Sequence, residues 1–228
     1  MTEALVQSPS ITRVPVTIDL ISDVVCPWCY VGFRALLAAC TRRPEITTTI
    51  TLRPFELDST IPKSGVDYKA RLLAKFGGDT LRLAEIRKGL YEAGVAVGIH
   101  FNLDAIKISP NTRDCHRLLL WARGASVELN CAEALFQAYH IDGRDLTEVD
   151  TLVAIASDIG MDGNVVANLL ASDRDDDKVM RELTTAVAMG ITGVPCAVFN
   201  QNFAVVGAQA VGAFVTALDT AAEETFPA

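Results

Sequence analysis

Apolar residues at the start of the chain alternate with period two and then change to a helical period. Residues 16–22, VTIDLIS, are rich in β-branched side chains and predict a strand. The segment that follows, CYVGFRALLAACTRR, has the spacing of a helix that ends before Pro44. Residues 47–57, TTTITLRPFEL, predict a second strand, and residues 1–13 predict a loose leader.

Helical periodicity dominates the middle of the chain, from about residue 63 to residue 190. Its segments include TLRLAEIRKGLYEAGVAVG, CAEALFQAYH and DKVMRELTTAVAMG, and Gly, Pro or Asp/Asn clusters separate them. The acidic run DRDDDK at 173–178 predicts a solvated helix start. Strand patterns return only at 195–207, where PCAVFN and FAVVG are separated by QN and predict a hairpin. AFVTALDTAAEE predicts a final helix.

The predicted order is strand, helix, strand, helical block, hairpin, helix. A βαβ unit followed by a ββα unit is the layout of a thioredoxin-like α/β fold, here with a large all-helical insertion between its halves. We therefore predict residues 14–62 as the first half of the thioredoxin-like domain. Residues 63–190 are predicted to form the insertion, and residues 191–225 the second half.

Composition narrows the function classes. Half of the 228 residues are hydrophobic, and 28 acidic residues against 20 basic ones give a formal charge of −8. Lys and Arg do not cluster, so neither a nucleic acid nor an anionic membrane surface is an expected partner. No stretch of about 18 apolar residues free of charge predicts a membrane-spanning helix. If Met1 is the native start, the N-terminal segment lacks the pattern of a secretory signal, which predicts a cytoplasmic protein.

The cysteine pattern supplies the candidate chemistry, because only Cys26 and Cys29, in CPWC, lie close in the sequence. A zinc site would need a second ligand pair, and His100, His116 and His140 are isolated, so no metal is expected. Haem attachment would need His where Tyr30 stands. A structural disulfide across two residues would constrain little of the chain. A redox pair is the remaining interpretation, and Cys40, Cys115, Cys131 and Cys196 are predicted to be mostly buried apolar residues.

The position of CPWC between a strand and a helix favours this redox interpretation. Cys26 is predicted to be the helix N-cap and Pro27 the first helical residue, where a missing N–H costs nothing. First-turn N–H groups and the helix dipole would then stabilise a Cys26 thiolate. Cys29, nearly one turn later, could attack a mixed disulfide at Cys26.

A second informative stretch is MGITGVPCAVFN, residues 189–200. In this layout Pro195 is predicted to follow a cis peptide bond and to lie against CPWC, with the Val194 backbone available to an extended substrate. The alternative is an ordinary trans proline at a strand start. Cys196 is predicted to be a buried strand residue that is not required for activity.

Several segments together resemble the DsbA-like thiol oxidoreductases of the FrnE type. SDVVCPWCYVG, RPFEL, NTRDCHRLL, LFQAYHIDGRDL and GITGVPCAVFNQNFAVVGAQ match in order within residues 16–218. The resemblance implies a thioredoxin fold with a helical insertion and dithiol–disulfide exchange. It implies Cys26 as nucleophile, Cys29 as resolving thiol and Pro195 as the cis-proline. Cys115 and Cys196 depart from the residues that are common in the family.

The same resemblance suggests the residues that line the substrate groove. Pro27, Trp28 and Val194 are candidates beside the cysteines, and NTRDCHR adds Asn111 and His116. We expect Ser109 to cap this helix and Pro110 to open it, with Asn111 reaching the CPWC loop. A lone helical histidine such as His116 is more often structural. Cys115, Leu118, Leu119 and Ala122 have the spacing of a core-facing stripe.

The sequence thus favours a cytoplasmic, disulfide isomerase-like thiol–disulfide oxidoreductase acting on protein or small-molecule disulfides or thiols. No metal or organic cofactor is required, glutathione is a candidate redox partner, and the chain would be a monomer or a homodimer. A small-molecule isomerase or polyketide-tailoring enzyme on the same fold is an alternative. The related 2-hydroxychromene-2-carboxylate isomerases lack the paired cysteines and typically have Ser first. A chaperone-like binding module is a further alternative.

Overall fold

A computed structural model describes residues 14–225 and shows an α/β structure whose strands and helices follow the predicted order. Period-two segments form strands and the helical block forms seven of the helices in this part of the chain. The elements in chain order are β1 (Val14–Ser22), α1 (Pro27–Thr41), β2 (Ile46–Pro54), β3 (Val66–Asp67), α2 (Tyr68–Lys75), α3 (Thr80–Ala96), β4 (Ile108–Ser109), α4 (Arg113–Gly124), α5 (Glu128–His140), α6 (Val149–Asp158), α7 (Gly163–Leu170), α8 (Asp176–Ala188), β5 (Cys196–Phe199), β6 (Phe203–Val206) and α9 (Val211–Thr225).

A four-stranded sheet in the order β2-β1-β5-β6 forms the centre of the fold. β1 and β2 are parallel and are joined through α1, as a crossover connection requires. β5 returns antiparallel to β1, with Ile21 opposite Cys196, and β6 pairs antiparallel with β5. This arrangement confirms the thioredoxin-like fold class.

Alternation along β1 directs its side chains to two different layers. Val16, Ile18 and Leu20 are at most 1% exposed and belong to the main core, which includes residues of α1 and α9. Ile21 points to the other face, where it joins a small cluster with Cys196 and with Ala186 of α8. The sheet is therefore covered on both faces, with α1 and α9 on one side and α8 on the other.

The insertion between β2 and β5 contains α2–α8 and also one pair of two-residue strands. Val66 of β3 pairs with Ser109 of β4, so the prediction of an all-helical insertion is accurate except for this pair. The domain limits at residues 62/63 and 190/191 stay predictions.

Strand β2 lies at the edge of the sheet, and side chains of the insertion bind its backbone at Leu52. Leu52 N–H donates to Glu128 Oε1 at 3.1 Å, and Leu52 O accepts from Arg123 Nη2. The two side chains also form an ion pair of 3.0 Å with each other. The insertion thus occupies this part of a sheet edge that could otherwise pair with another chain.

Three local predictions need correction or lie outside the described chain. α4 begins at Arg113 with Thr112 as its N-cap, whereas Ser109 belongs to β4, because Ser109 pairs with Val66 instead of capping the helix. The hairpin turn has positive φ at Asn200 and Gln201, one residue earlier than the predicted Gln201–Asn202. The predicted leader, residues 1–13, falls outside the described residues.

The stripe on α4 is confirmed, because Cys115, Leu118, Leu119 and Ala122 are all buried. Within residues 14–225, no helix has both the length and the apolar character needed to span a membrane.

Candidate active site

The CPWC motif lies where β1 passes through a short turn into α1. Cys26 N–H donates to Asp23 O at 3.0 Å, and Cys26 is the N-cap with extended backbone angles of φ −87° and ψ 111°. Pro27 occupies the first helical turn, where its missing N–H has no intrahelical partner to lose. The predicted N-cap position of Cys26 is confirmed.

The two thiols lie side by side as free cysteines. Cys26 and Cys29 lie 3.5 Å apart. Cys26 is 5% exposed, whereas Cys29 is 0% exposed. A hydrogen bond from the Cys29 thiol lowers the pKa of Cys26, and the backbone N–H groups of Cys29 and Trp28 lower it further against the effect of burial. Burial, followed by the neighbouring Cys26 sulfur, holds the pKa of Cys29 well above its ordinary value. The two thiols are therefore unequal: Cys26 is the more acidic thiol, and Cys29 is the hydrogen-bond donor.

Pro195 completes the site from the far end of the chain. The Val194–Pro195 peptide bond is cis, as predicted. Val194 O lies 4.0 Å from Cys26 Sγ, and Pro195 packs against α1 at Gly32. A Cβ on Gly32 would stand 2.8 Å from Pro195 Cγ, so the close approach of this loop to α1 depends on glycine at that position.

A carboxylate that sequence reasoning did not single out lies directly beneath the motif. Asp23 is 1% exposed, accepts Leu57 N–H at 2.8 Å, and has a further hydrogen bond from Thr112. Burial raises the pKa of Asp23, and its negative charge in turn raises the pKa of Cys26. Asp23 links the CPWC loop to the RPFEL segment and to the start of α4.

His116 lies in this buried layer instead of on the substrate side. Its Nε2 is 3.0 Å from Phe55 O and 3.8 Å from Asp23 Oδ1. Because a carbonyl only accepts, Nε2 carries the proton. Burial lowers the pKa of His116, so the ring is neutral near pH 7. Its contacts are with the residues that support the motif.

His140, interpreted above as an isolated histidine, supports the same loop from α5. It is fully buried, and its Nε2 donates to Val24 O at 3.0 Å. The ring packs among aromatic side chains, including Tyr30 and Phe136. Burial lowers the pKa of His140 to about 3. The backbone just before CPWC is thus held by a neutral histidine from the insertion.

A cavity of about 300 Å³ opens beside Cys26, between the thioredoxin-like part and the insertion. Of the predicted binding residues, Pro27, Trp28 and Val194 line it together with Cys26. Asn111 and His116 lie outside this lining. The Asn111 side chain instead donates to Ile61 O at 2.8 Å and accepts Arg113 N–H at 3.0 Å, which ties the RPFEL loop region to the start of α4.

The remaining cysteines lie outside the cavity lining, and each is buried or half-buried. Cys115 and Cys131 are 0% exposed, and burial raises the pKa of each. Cys40 is half-buried against the main core. Cys196 is buried, as predicted, but on the opposite face of the sheet from Cys26 and Cys29. Among residues 14–225, no group of three or more His, Cys, Asp or Glu side chains is arranged to hold a metal ion.

Sequence reasoning thus found the cysteines and the proline and missed three supporting residues: Asp23, Gly32 and His140. Asp23 precedes the motif by three residues, but a turn aspartate is usually solvated, so its burial could not be predicted. Gly32 did carry a signal, because glycine in a helix interior is unfavourable unless a close contact requires it.

Comparisons with known proteins agree with this geometry. The sequence profile of the DSBA-like thioredoxin domain family matches residues 17–219. The structure of a probable DsbA oxidoreductase from Streptomyces coelicolor is 28% identical, covers 93% of this chain and 92% of its own, and superimposes with a TM-score of 0.86. A search of curated proteins finds no match.

Two more distant structures share the fold. A 2-hydroxychromene-2-carboxylate isomerase is 15% identical over 91% of this chain and 97% of its own, with a TM-score of 0.67. The cytosolic disulfide reductase DsbM from Pseudomonas aeruginosa, with GSH, is also 15% identical over 91% of this chain and 96% of its own, with a TM-score of 0.62.

Proposed function

The chain belongs to the DsbA-like thioredoxin family, and from that premise we propose that it is a thiol–disulfide oxidoreductase of the FrnE type. The observation that carries the proposal is the asymmetry of the pair: the pKa of Cys26 is lowered and that of Cys29 is raised. A thiolate is the attacking species in disulfide exchange, and a thiol of low pKa is also the better leaving group.

The reaction proceeds through two exchanges. The Cys26 thiolate attacks one sulfur of a substrate disulfide, forming a mixed disulfide and releasing the first substrate thiolate. The Cys29 thiol then loses its proton and attacks the Cys26 sulfur, which releases the second substrate thiolate and forms the Cys26–Cys29 disulfide. Two electrons pass from the enzyme to the substrate, and the released thiolates take up protons.

Two molecules of glutathione can return the pair to the dithiol state, with oxidised glutathione as the product. The structural neighbour from P. aeruginosa, a cytosolic disulfide reductase with GSH, supports glutathione as partner and a cytoplasmic location. The isomerase neighbour shares the fold at 15% identity, and the two cysteines of this chain favour redox chemistry over isomerisation.

Insulin reduction with glutathione tests the proposal. Cys26→Ser should abolish activity, whereas Cys29→Ser should accumulate a mixed disulfide on Cys26 that mass spectrometry detects. Cys196→Ala is the matched control, because Cys196 lies on the other face of the sheet, and it should keep activity within about tenfold, or roughly 1.4 kcal/mol in barrier. Wild-type activity that survives in Cys26→Ser would refute the proposed chemistry.

The direction of the reaction follows from the reduction potential of the pair. Equilibration with glutathione buffers measures the reduction potential of the Cys26–Cys29 pair. The value is compared with the potential of the cytosolic glutathione pool, roughly −220 to −260 mV. A value below that range favours a reductase, and a value well above it favours an oxidase.

A further inference from the structure

The cavity beside Cys26 is walled on one side by a helical pair with a defined inner face. Arg71, Leu72 and Lys75 of α2 line the cavity, together with Phe76, the residue that caps the C-terminus of this helix. These positions follow helical spacing, so one face of α2 is directed at the cavity. Leu72 and Phe76 are only half-buried, and no residue of α2 is fully buried.

α3 presents a matching face to the same cavity. Leu83, Ile86, Arg87 and Leu90 line it at i, i+3, i+4 and i+7. Cys26, the N-cap of α1, and Trp28 in the first turn of α1 also line the cavity. A molecule held in this space therefore contacts an apolar helical surface and the reactive thiol together.

The charged side chains in the lining all have one sign. Arg71, Lys75 and Arg87 line the cavity, and Asp58 and Asp104, the acidic partners of the two arginines, lie outside the lining. The Asp104 side chain is 75% exposed, so its pairing with Arg87 is weak. Lys75 has no ion-pair partner among residues 14–225 of a chain whose formal charge is −8. The lining thus holds one unpaired cation, Lys75, and two arginines whose carboxylate partners lie outside it.

We propose that this cavity selects a small thiol or disulfide compound with an apolar body and an anionic group. The inference rests on the proposed function and specifies its substrate class. A volume of about 300 Å³ is at the lower end of ligand cavities, which span roughly 300–1,000 Å³. The apolar faces of α2 and α3 hold the body, the unpaired Lys75 holds the anion, and the sulfur reaches Cys26.

The test uses single-turnover oxidation of the reduced protein, which needs no external reductant. The anionic probe is 5,5′-dithiobis(2-nitrobenzoate), and the neutral aromatic probe is 4,4′-dithiodipyridine. Each probe disulfide takes two electrons from Cys26 and Cys29, and the protein disulfide forms as two probe thiols are released. The measured quantity is the ratio of the second-order rate constants for the anionic and neutral probes. A change in the reactivity of Cys26 affects both rate constants and therefore cancels in the ratio.

Lys75→Glu should lower this ratio by about tenfold or more, the lower limit for electrostatic focusing in a cleft. Lys88→Glu on α3 is the matched control, because Lys88 is exposed and lies outside the lining while the change in net charge is the same. The ratio for Lys88→Glu should stay at the wild-type value. Raising the ionic strength should lower the wild-type ratio and leave that of Lys75→Glu nearly constant.

Equal ratios for Lys75→Glu and Lys88→Glu would overturn the inference while the oxidoreductase proposal stands. Failure of either probe to release two thiols per wild-type protein would instead contradict the oxidoreductase proposal.

Leu83→Gln tests the apolar wall: it should slow both aromatic probes more than it slows insulin reduction. If Leu83→Gln slows insulin reduction as much as it slows the probes, the cavity binds a polypeptide side chain. That result would overturn the small-molecule assignment. Circular dichroism of each variant confirms that the helices are retained.

Discussion

At the scale of single residues, the pKa values of the two CPWC cysteines are shifted in opposite directions. The helix N-terminus predicts a lowered pKa for Cys26, but the largest cause in the structure is the hydrogen bond from Cys29. Sequence reasoning identified both cysteines and the direction of the shift. It could not rank the causes, because the distance between two sulfur atoms depends on rotamers that the motif does not specify.

Replacing Cys29 separates the hydrogen bond from the helix terminus. Cys29→Ala removes the S–H donor, so the pKa of Cys26 should rise. Cys29→Ser is the matched control, because its hydroxyl can still donate, and the rise should be smaller. Thiolate absorbance of Cys26 against pH measures both. A pKa of Cys26 that does not change in Cys29→Ala would assign the shift to the helix terminus alone.

The buried carboxylate beneath the motif acts in the opposite direction. Asp23 raises the pKa of Cys26 through its charge, so Asp23→Asn should lower that pKa and speed alkylation of Cys26 at mildly acidic pH. Asn can still accept Leu57 N–H, which preserves the link to the RPFEL segment. Asp19→Asn is the control, because Asp19 lies on β1 and forms an ion pair with Arg53. This variant should leave the alkylation rate of Cys26 unaltered. Slower alkylation in Asp23→Asn would contradict this role.

At the scale of elements, the active site depends on how closely α1 approaches the Pro195 loop. Element types were predictable because hydrophobic periodicity is a local property. The start of α4 was not, because Ser109 has its hydrogen-bonding partner at Val66, more than forty residues earlier, and that pairing overrides a local cap signal.

Gly32→Ala tests this approach of α1 to the loop. The new methyl group would overlap Pro195, so we expect a loss of about 1–3 kcal/mol in unfolding free energy, as for overpacked cores. Disulfide exchange should slow as well, because displacing Pro195 moves Val194 O away from Cys26. Gly89→Ala in α3 has open space around its Cβ and should instead stabilise by about 0.5–1 kcal/mol. Urea denaturation and insulin reduction measure the two effects, and equal stability changes in both variants would contradict the steric argument.

At the scale of the whole molecule, the insertion is fastened to the thioredoxin-like part by polar contacts between distant segments. Glu128 and Arg123 bind the backbone of β2, and His140 binds Val24. The helical spacing of apolar residues predicted that an insertion exists between β2 and β5. It could not predict these contacts, because charged residues and lone histidines at helix ends usually face solvent.

The buried histidines make the stability of the molecule depend on pH. Below pH 6.5 the unfolded chain binds protons at His140, whereas the folded protein does so only near pH 3, so the unfolding free energy falls as pH falls. The loss for His140 amounts to about 2 kcal/mol at pH 5, and His116 acts in the same direction.

His140→Gln keeps an N–H donor for Val24 O but cannot take up the proton. Its unfolding free energy should therefore change less between pH 7 and pH 5 than that of the wild type, as urea denaturation at each pH will measure. A steeper dependence in His140→Gln would show that the ring is charged in the folded state.

The order of segments along the chain also sets when the reactive centre can form during synthesis. Cys26 and Val194, which touch in the folded protein, are 168 residues apart. At translation rates of roughly 5–20 residues per second, Cys26 and Cys29 are made on the order of ten to thirty seconds before β5 can pair with β1. The nascent chain therefore carries its two thiols through that interval without the loop that covers them. The active site therefore assembles late in synthesis. The helices of the insertion must be made before the Pro195 loop can reach Cys26.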